Sequence, residues 1–206
     1  ETTLTFDFTK VSTKIVLSET NYAAPTKGVF EDRYSYGSTS STATLTLNGY
    51  NGKDLFYSTA ALNVTLIGTN TISAYGNPDY AGGNGSSTIN AKGVTIKADA
   101  SRDATLNSKQ NTVGAFNISA QQNGGGEIVI GETGQKKVTL TAEGGNRALY
   151  ALSNIKINNS DLTLIASEKT IRSNGTVEIV GSTVSAKLDG TGQQNAVDDP
   201  DHGLFG

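Results

Sequence analysis

The chain has 206 residues, and its 16 basic and 19 acidic side chains nearly cancel, which argues against a general nucleic-acid or anionic-membrane binder. It has no Cys, so disulfide staples and thiol chemistry are excluded, and no apolar run approaches the ~18 residues of a membrane span. One domain is expected at this length, and a hydrophobic content of 35%, low for a globular enzyme, suits a thin solenoid whose coils each contribute few inward side chains.

Residues 1–42 do not follow the pattern of the rest and are expected to form an N-terminal cap. Thr3–Thr9 alternates, with Leu4, Phe6 and Phe8 on one face, and Lys14–Leu17 is a second expected strand. Solenoid ends expose strand edges and core, and atypical terminal segments cover them. Tyr22, Phe30, Tyr34 and Tyr36 suit such a cover; the alternatives are an exposed sugar platform and a Thr3–Thr9 strand that pairs with a neighbouring subunit. The start at Glu1 and the absence of Met suggest a processed or excised segment with any signal peptide outside it.

From 43 to 197 the chain reads as coils. Strands are expected at Ala43–Gly49, Asp54–Tyr57 and Leu62–Gly68, after which Thr69–Ile72 turns into a loop and 73–87 forms a projecting, turn-rich excursion. Further beats follow at Ile89, Val94–Ile96 and Ala104–Leu106, then at Ala115–Ile118, Ile128–Ile130 and Val138–Leu140. Ala148–Ala186 repeats itself at an offset of 22: Leu149 to Ile171, Ile155 to Val177, Ile157 to Ile179 and Leu162 to Val184. Ile128 to Ile155 is 27, and two longer connections are expected to account for the difference: the seven-residue corner 131–137 and the return from Leu140 to Leu149. Length changes confined to corners are the mark of a solenoid.

Each beat alternates apolar, polar, apolar, which is strand periodicity with one face buried. Lys156 is then expected beside Glu178 on the outer face, and the corner residues Asn159 and Gly181 share a need for positive φ. The fold class is all-β, a right-handed parallel β-helix with about 22-residue coils. Residues 198–206 form an acidic tail or the start of a further coil.

T-L-T-L-N-G at 44–49 and V-T-L-I-G-T-N-T-I at 64–72, with the later apolar-x-apolar beats, resemble a family of extracellular carbohydrate-binding proteins of clostridia and other gut or fibre-degrading bacteria. The resemblance covers about residues 43–190. It implies a pectate-lyase-like right-handed β-helix that binds acidic plant polysaccharides and cellulose, with calcium, without catalysis. Where family corners carry Gly-Gly or Asp-Gly, this chain has Asn158-Asn159-Ser160-Asp161.

Among candidate functional residues, the single His202 leaves little for nucleophilic catalysis, and no paired carboxylates recur at coil spacing for glycoside hydrolysis. The 22-residue offset puts Tyr150 beside Arg172 with Gln194 next, and Arg147 close by. A ring, guanidinium groups and an amide suit sugar rings and a uronate carboxylate; Arg172 packed on Tyr150 for stability alone is the plainer alternative. Asp198, Asp199 and Asp201 are the candidate ligands for Ca²⁺, the one cofactor considered, against a solvated acidic tail; Asp99 with Asp103 is a looser pair. Thr95, Thr139, Thr141 and Thr163 form an outer Thr column that invites an ice-binding reading, which varying coil lengths and the charged Lys156 and Glu178 on one face would disfavour. The expected function is a non-catalytic carbohydrate-binding or adhesion module with a polysaccharide partner and neither nucleic-acid binding nor membrane insertion. The alternatives are a filament or surface subunit self-associating through solenoid ends and, third, a calcium-dependent polysaccharide lyase.

Overall fold

A computed structural model describes residues 14–17, 21–24, 42–75, 87–112, 114–189 and 197–198. Twenty strands lie in these residues: β1 (Lys14–Leu17), β2 (Asn21–Ala24), β3 (Ala43–Asn48), β4 (Asn51–Gly52), β5 (Leu55–Ser58), β6 (Leu62–Ile67) and β7 (Thr69–Ala74) come first. Then follow β8 (Ile89–Ala91), β9 (Val94–Ala98), β10 (Ala104–Gln110), β11 (Phe116–Ala120), β12 (Ile128–Ile130) and β13 (Val138–Glu143). The last are β14 (Arg147–Ala151), β15 (Ile155–Asn158), β16 (Ser160–Ala166), β17 (Lys169–Ser173), β18 (Val177–Val180), β19 (Thr183–Leu188) and β20 (Val197–Asp198).

They form three parallel sheets. Sheet A runs β1-β5-β8-β11-β14-β17-β20, sheet B runs β2-β3-β6-β9-β12-β15-β18, and sheet C runs β4-β7-β10-β13-β16-β19. From β5 onward the chain visits A, B and C in turn, so each coil has three strands and stacks on the one before. This is a parallel β-helix. The N-terminal strands break that order: β1 lies beside β5 in sheet A, yet β2 and then β3 are both in sheet B. Thr3–Thr9, Phe30, Tyr34 and Tyr36 lie outside the described residues.

The core is a set of stacked columns. In sheet B, Leu45, Val64, Ile96, Ile130 and Ile157 follow one another in register and all are fully buried. In sheet A the column is Phe56, Ile89, Ile118, Leu149 and Ile171. The alternation seen in the sequence places these side chains inward and their neighbours outward. Ile128↔Ile155 confirms 27, but Val138–Glu143 already pairs with β16 at 22, so the whole difference sits in the corner between β12 and β13 and the return from Leu140 to Leu149 takes no share of it.

Two corner residues carry the chain out of sheet B with positive φ, Asn159 at 44° and Gly181 at 58°, as expected. Gly131, one coil earlier, has φ 73°, and a Cβ there would collide with the Asn158 carbonyl oxygen and Ser160 Oγ. Only glycine fits.

Three expectations change. Thr69–Ala74 is a strand, not the start of a loop, because Asn70 points inward and is fully buried. Its Oδ1 accepts the Tyr50 backbone N–H at 2.9 Å, and its amide nitrogen lies 3.4 Å from the carbonyl oxygens of Ile67, Gly68 and Thr105. The G-T-N-T-I motif is thus a corner fastening, with Asn70 satisfying backbone groups that the turn leaves open. Second, Lys156 and Glu178 are register partners, but Lys156 Nζ makes its close ion pair, 2.8 Å, with Glu127 on its other side. Third, β20 pairs Ile171 with Val197 and Arg172 with Asp198, so the last step is 26 residues and Gln194 is not the partner of Arg172.

Candidate functional site

The outer face of sheet A carries one continuous column: Tyr57, Asn90, Ser119, Tyr150 and Arg172, with Asp198 next by backbone register. The middle of the column is tied down. Ser119 and Asn90 are buried, with 3.0 Å between Ser119 Oγ and Asn90 Oδ1, and Tyr57 donates its phenol to Gln122 Oε1 at 2.9 Å. Burial pushes the Tyr57 pKa up.

Tyr150 and Arg172 are half-buried and side by side, as the spacing predicted. The Tyr150 ring meets Phe116 edge-on, 5.2 Å between centroids at 89°. The Arg147 guanidinium lies 4.7 Å from the Tyr150 centroid and 4.8 Å from that of Phe116, so it is shared between two rings. Arg147 therefore braces Tyr150. Phe116, register partner of Arg147, belongs to this cluster and was not singled out from the sequence, because the link crosses a 31-residue coil that no regular offset reveals.

Of the remaining expected site residues, Gln194, Asp199 and Asp201 lie outside the described residues, and Asp198 is placed by its backbone alone. Among the described residues no group of three or more His, Cys, Asp or Glu could hold a metal ion. Asp99 accepts the Ser101 N–H at 2.9 Å and the Ser101 hydroxyl, which holds its pKa below the usual value, while Asp103 accepts the Lys137 N–H at 2.8 Å. Both sit in the corner between β9 and β10, Asp99 engaged within that corner and Asp103 by the backbone of the next coil.

The Thr residues belong to two faces. Thr95 is on sheet B; Thr139, Thr141 and Thr163 are on sheet C. Lys156 and Glu178 are on sheet B and so do not interrupt the sheet C ranks. Those ranks read Thr69, Thr105, Thr139, Asp161, Thr183 and Thr71, Asn107, Thr141, Thr163, Ser185. What interrupts them is Asp161, paired with Lys137 at 2.9 Å, with Lys109–Glu143 at 2.6 Å along the flank.

Sheet B carries an open groove of about 520 Å³. Half-buried Thr95, Val129 and Asn158 line it together with exposed Lys97, Glu132 and Thr133, beside the Gly131 corner. The seven-residue corner 131–137 stands beside it. Gly131 donates its N–H to the Ile96 carbonyl at 2.8 Å, Gln135 N–H to Glu132 O at 3.2 Å, and Asn159 Nδ2 to Gln135 O at 2.8 Å. The insertion was visible in the sequence; the groove it makes was not.

Comparison with protein-family models, curated proteins and solved structures finds no match to this chain. No helix among the described residues is long and apolar enough to cross a membrane.

Proposed function

We propose that the protein is a secreted or cell-surface, non-catalytic carbohydrate-binding or adhesion module that holds polysaccharide along the outer face of its β-helix. The observation that carries this reading is the half-exposed Tyr150 in register with Arg172, its ring braced by Arg147 and Phe116. A braced ring gives a sugar a platform at little entropic cost, and a guanidinium beside it suits a uronate carboxylate. The columns run along the solenoid axis at a spacing of ~4.8 Å, a layout suited to an extended polymer.

The non-catalytic reading is supported by how carboxylates are used. Glu127, Glu143 and Asp161 are each paired with a lysine. Asp54, whose pKa is raised, is buried beneath Tyr50 rather than facing a cleft. Calcium remains part of the proposal, through Asp198, Asp199 and Asp201.

Affinity electrophoresis through polygalacturonate and cellulose gels, with calcium and with chelator, tests the function. Retardation that Arg172→Gln abolishes is expected; passage through every gel without retardation would remove the reading. The alternative of a subunit associating through solenoid ends is favoured by one observation. Val184, Ala186 and Leu188 of β19 are half-buried, whereas Leu162, Leu164 and Ala166 one coil earlier are buried. Size-exclusion chromatography across a concentration series separates the two.

A further inference from the structure

We infer that the groove on sheet B is a second carbohydrate subsite, separate from Tyr150 and Arg172, that takes one neutral pyranose unit in preference to a uronate. The choice of ligand class rests on the carbohydrate-binding reading above; the site itself rests on three features of the groove.

The first is unspent charge. Three outward lysines, Lys109, Lys137 and Lys156, each lie 2.6–2.9 Å from a carboxylate. Lys97 and Glu132 line the same groove, yet among the described residues neither makes an ion pair with the other or with a third group. An ammonium and a carboxylate that share a space without pairing can both be satisfied by hydroxyls, which donate to one and accept from the other. The second feature is Val129. In the column Thr44, Asn63, Thr95, Val129, Lys156, Glu178, it is the one apolar side chain, and it is half-buried in the groove. A pyranose ring has a face of C–H groups and a rim of hydroxyls; Val129 takes the face, and Lys97, Glu132, Thr133 and Asn158 meet the rim.

The third is size and order. A volume of about 520 Å³ lies within the range of roughly 300–1,000 Å³ typical of small-molecule sites. The corner beside it is held by the Gly131 and Asn159 hydrogen bonds, so little ordering is left for binding. Neutral sugar is preferred because its hydroxyls satisfy Lys97 and Glu132 together, whereas a uronate carboxylate paired with Lys97 sets a second negative charge beside Glu132. Sheet A, with two arginines beside Tyr150, has the opposite bias.

The test is a ¹H–¹⁵N NMR titration of the full chain with methyl β-glucopyranoside and, separately, glucuronate. Shifts confined to the amides of Thr95, Val129, Glu132, Thr133 and Asn158 are expected with the neutral sugar, and weaker ones with glucuronate. Lys97→Ala should weaken the neutral sugar about tenfold. Glu132→Gln should raise glucuronate binding to the level of the neutral sugar. Both side chains are exposed, and a dispersed spectrum verifies that each variant is folded. Silent groove amides, or an unchanged titration in Lys97→Ala, overturn the inference. The polygalacturonate gel, with Arg172→Gln as its control, reports on sheet A: retardation that Arg172→Gln abolishes, with a silent groove, refutes this subsite alone, and groove shifts without retardation by either polymer refute the polysaccharide function alone.

Discussion

The Tyr50 hydroxyl donates to Asp54 Oδ2 at 2.5 Å, and the Asp54 backbone N–H reaches the same phenol oxygen at 3.2 Å. Both side chains are buried, and the Tyr50 ring meets Phe56 edge-on at 5.7 Å. Burial raises the Asp54 pKa above the ordinary 3.8, and the phenol hydrogen bond and Lys53 only partly oppose it. The folded state therefore holds the proton more tightly than the unfolded chain. The stability from this proton is fully present below about 3.8 and is lost as pH rises through the higher folded pKa. Asp54→Asn keeps an acceptor for the phenol and cannot ionise. Relative to the parent, the variant should gain urea resistance between pH 3.5 and pH 7. A relative loss over that interval would mean that the hydrogen bond to the ionised carboxylate outweighs its desolvation.

Asn70 gives a second prediction. It is fully buried, and Asn70→Ala removes the acceptor of the Tyr50 N–H and a side chain lying near three backbone carbonyls. A loss of about 1–3 kcal/mol in urea unfolding is expected, from polar groups left inside without partners. Hydrogen exchange should speed up at the amides of Tyr50 and Thr71 before the rest of the coil. A variant as stable as the parent would show that the G-T-N-T-I motif serves something other than the corner.

These residues mark how far the fold could be read in advance. Strict alternation and the offset of 22 made β14–β19 legible, because regular coils change length only in corners. The same logic failed at β7, where T-N-T looks like a turn and the polar Asn70 faces inward. It failed again at β20, where a longer connection after β19 moves the partner of Arg172 from residue 194 to Asp198. A repeat also says which residues stack, but not which sheets share a face. Thr95 and Thr139 therefore read as one column though they lie on sheets B and C. Tyr150 and Arg172 were legible because they fall within the regular repeat; Phe116 and the groove were not, because both depend on irregular corners.

Gly131 and Gly134 separate backbone conformation from crowding. Both have positive φ, 73° and 75°, but a Cβ at Gly131 strikes the next coil, while one at Gly134 meets nothing within 4 Å. Gly134→Ala should cost about 1 kcal/mol, the conformational penalty alone. Gly131→Ala should cost more than about 2 kcal/mol, because coil stacking must yield as well. Chemical denaturation of the two variants measures the difference. Equal losses would mean that the corner shifts freely to admit the methyl group.

The Tyr150 platform needs variants that divide structure from binding. Tyr150→Ala removes both the edge contact with Phe116 and one of the two rings around Arg147, and should cost about 1–3 kcal/mol of stability. Lost polymer binding in that variant would therefore be ambiguous. Tyr150→Phe keeps the ring and its bracing and should keep most of the retention in polygalacturonate gels. Arg172→Gln leaves the cluster of Phe116, Tyr150 and Arg147 in place and should lose less stability than Tyr150→Ala. It should nevertheless lose retention by the acidic polymer, and the parent's own retention should weaken as salt is raised, because a partly exposed guanidinium–carboxylate contact is screened. Retention in Arg172→Gln equal to that of the parent, at low salt, would assign Tyr150 and Arg172 a purely structural role. Binding would then have to lie elsewhere on the solenoid.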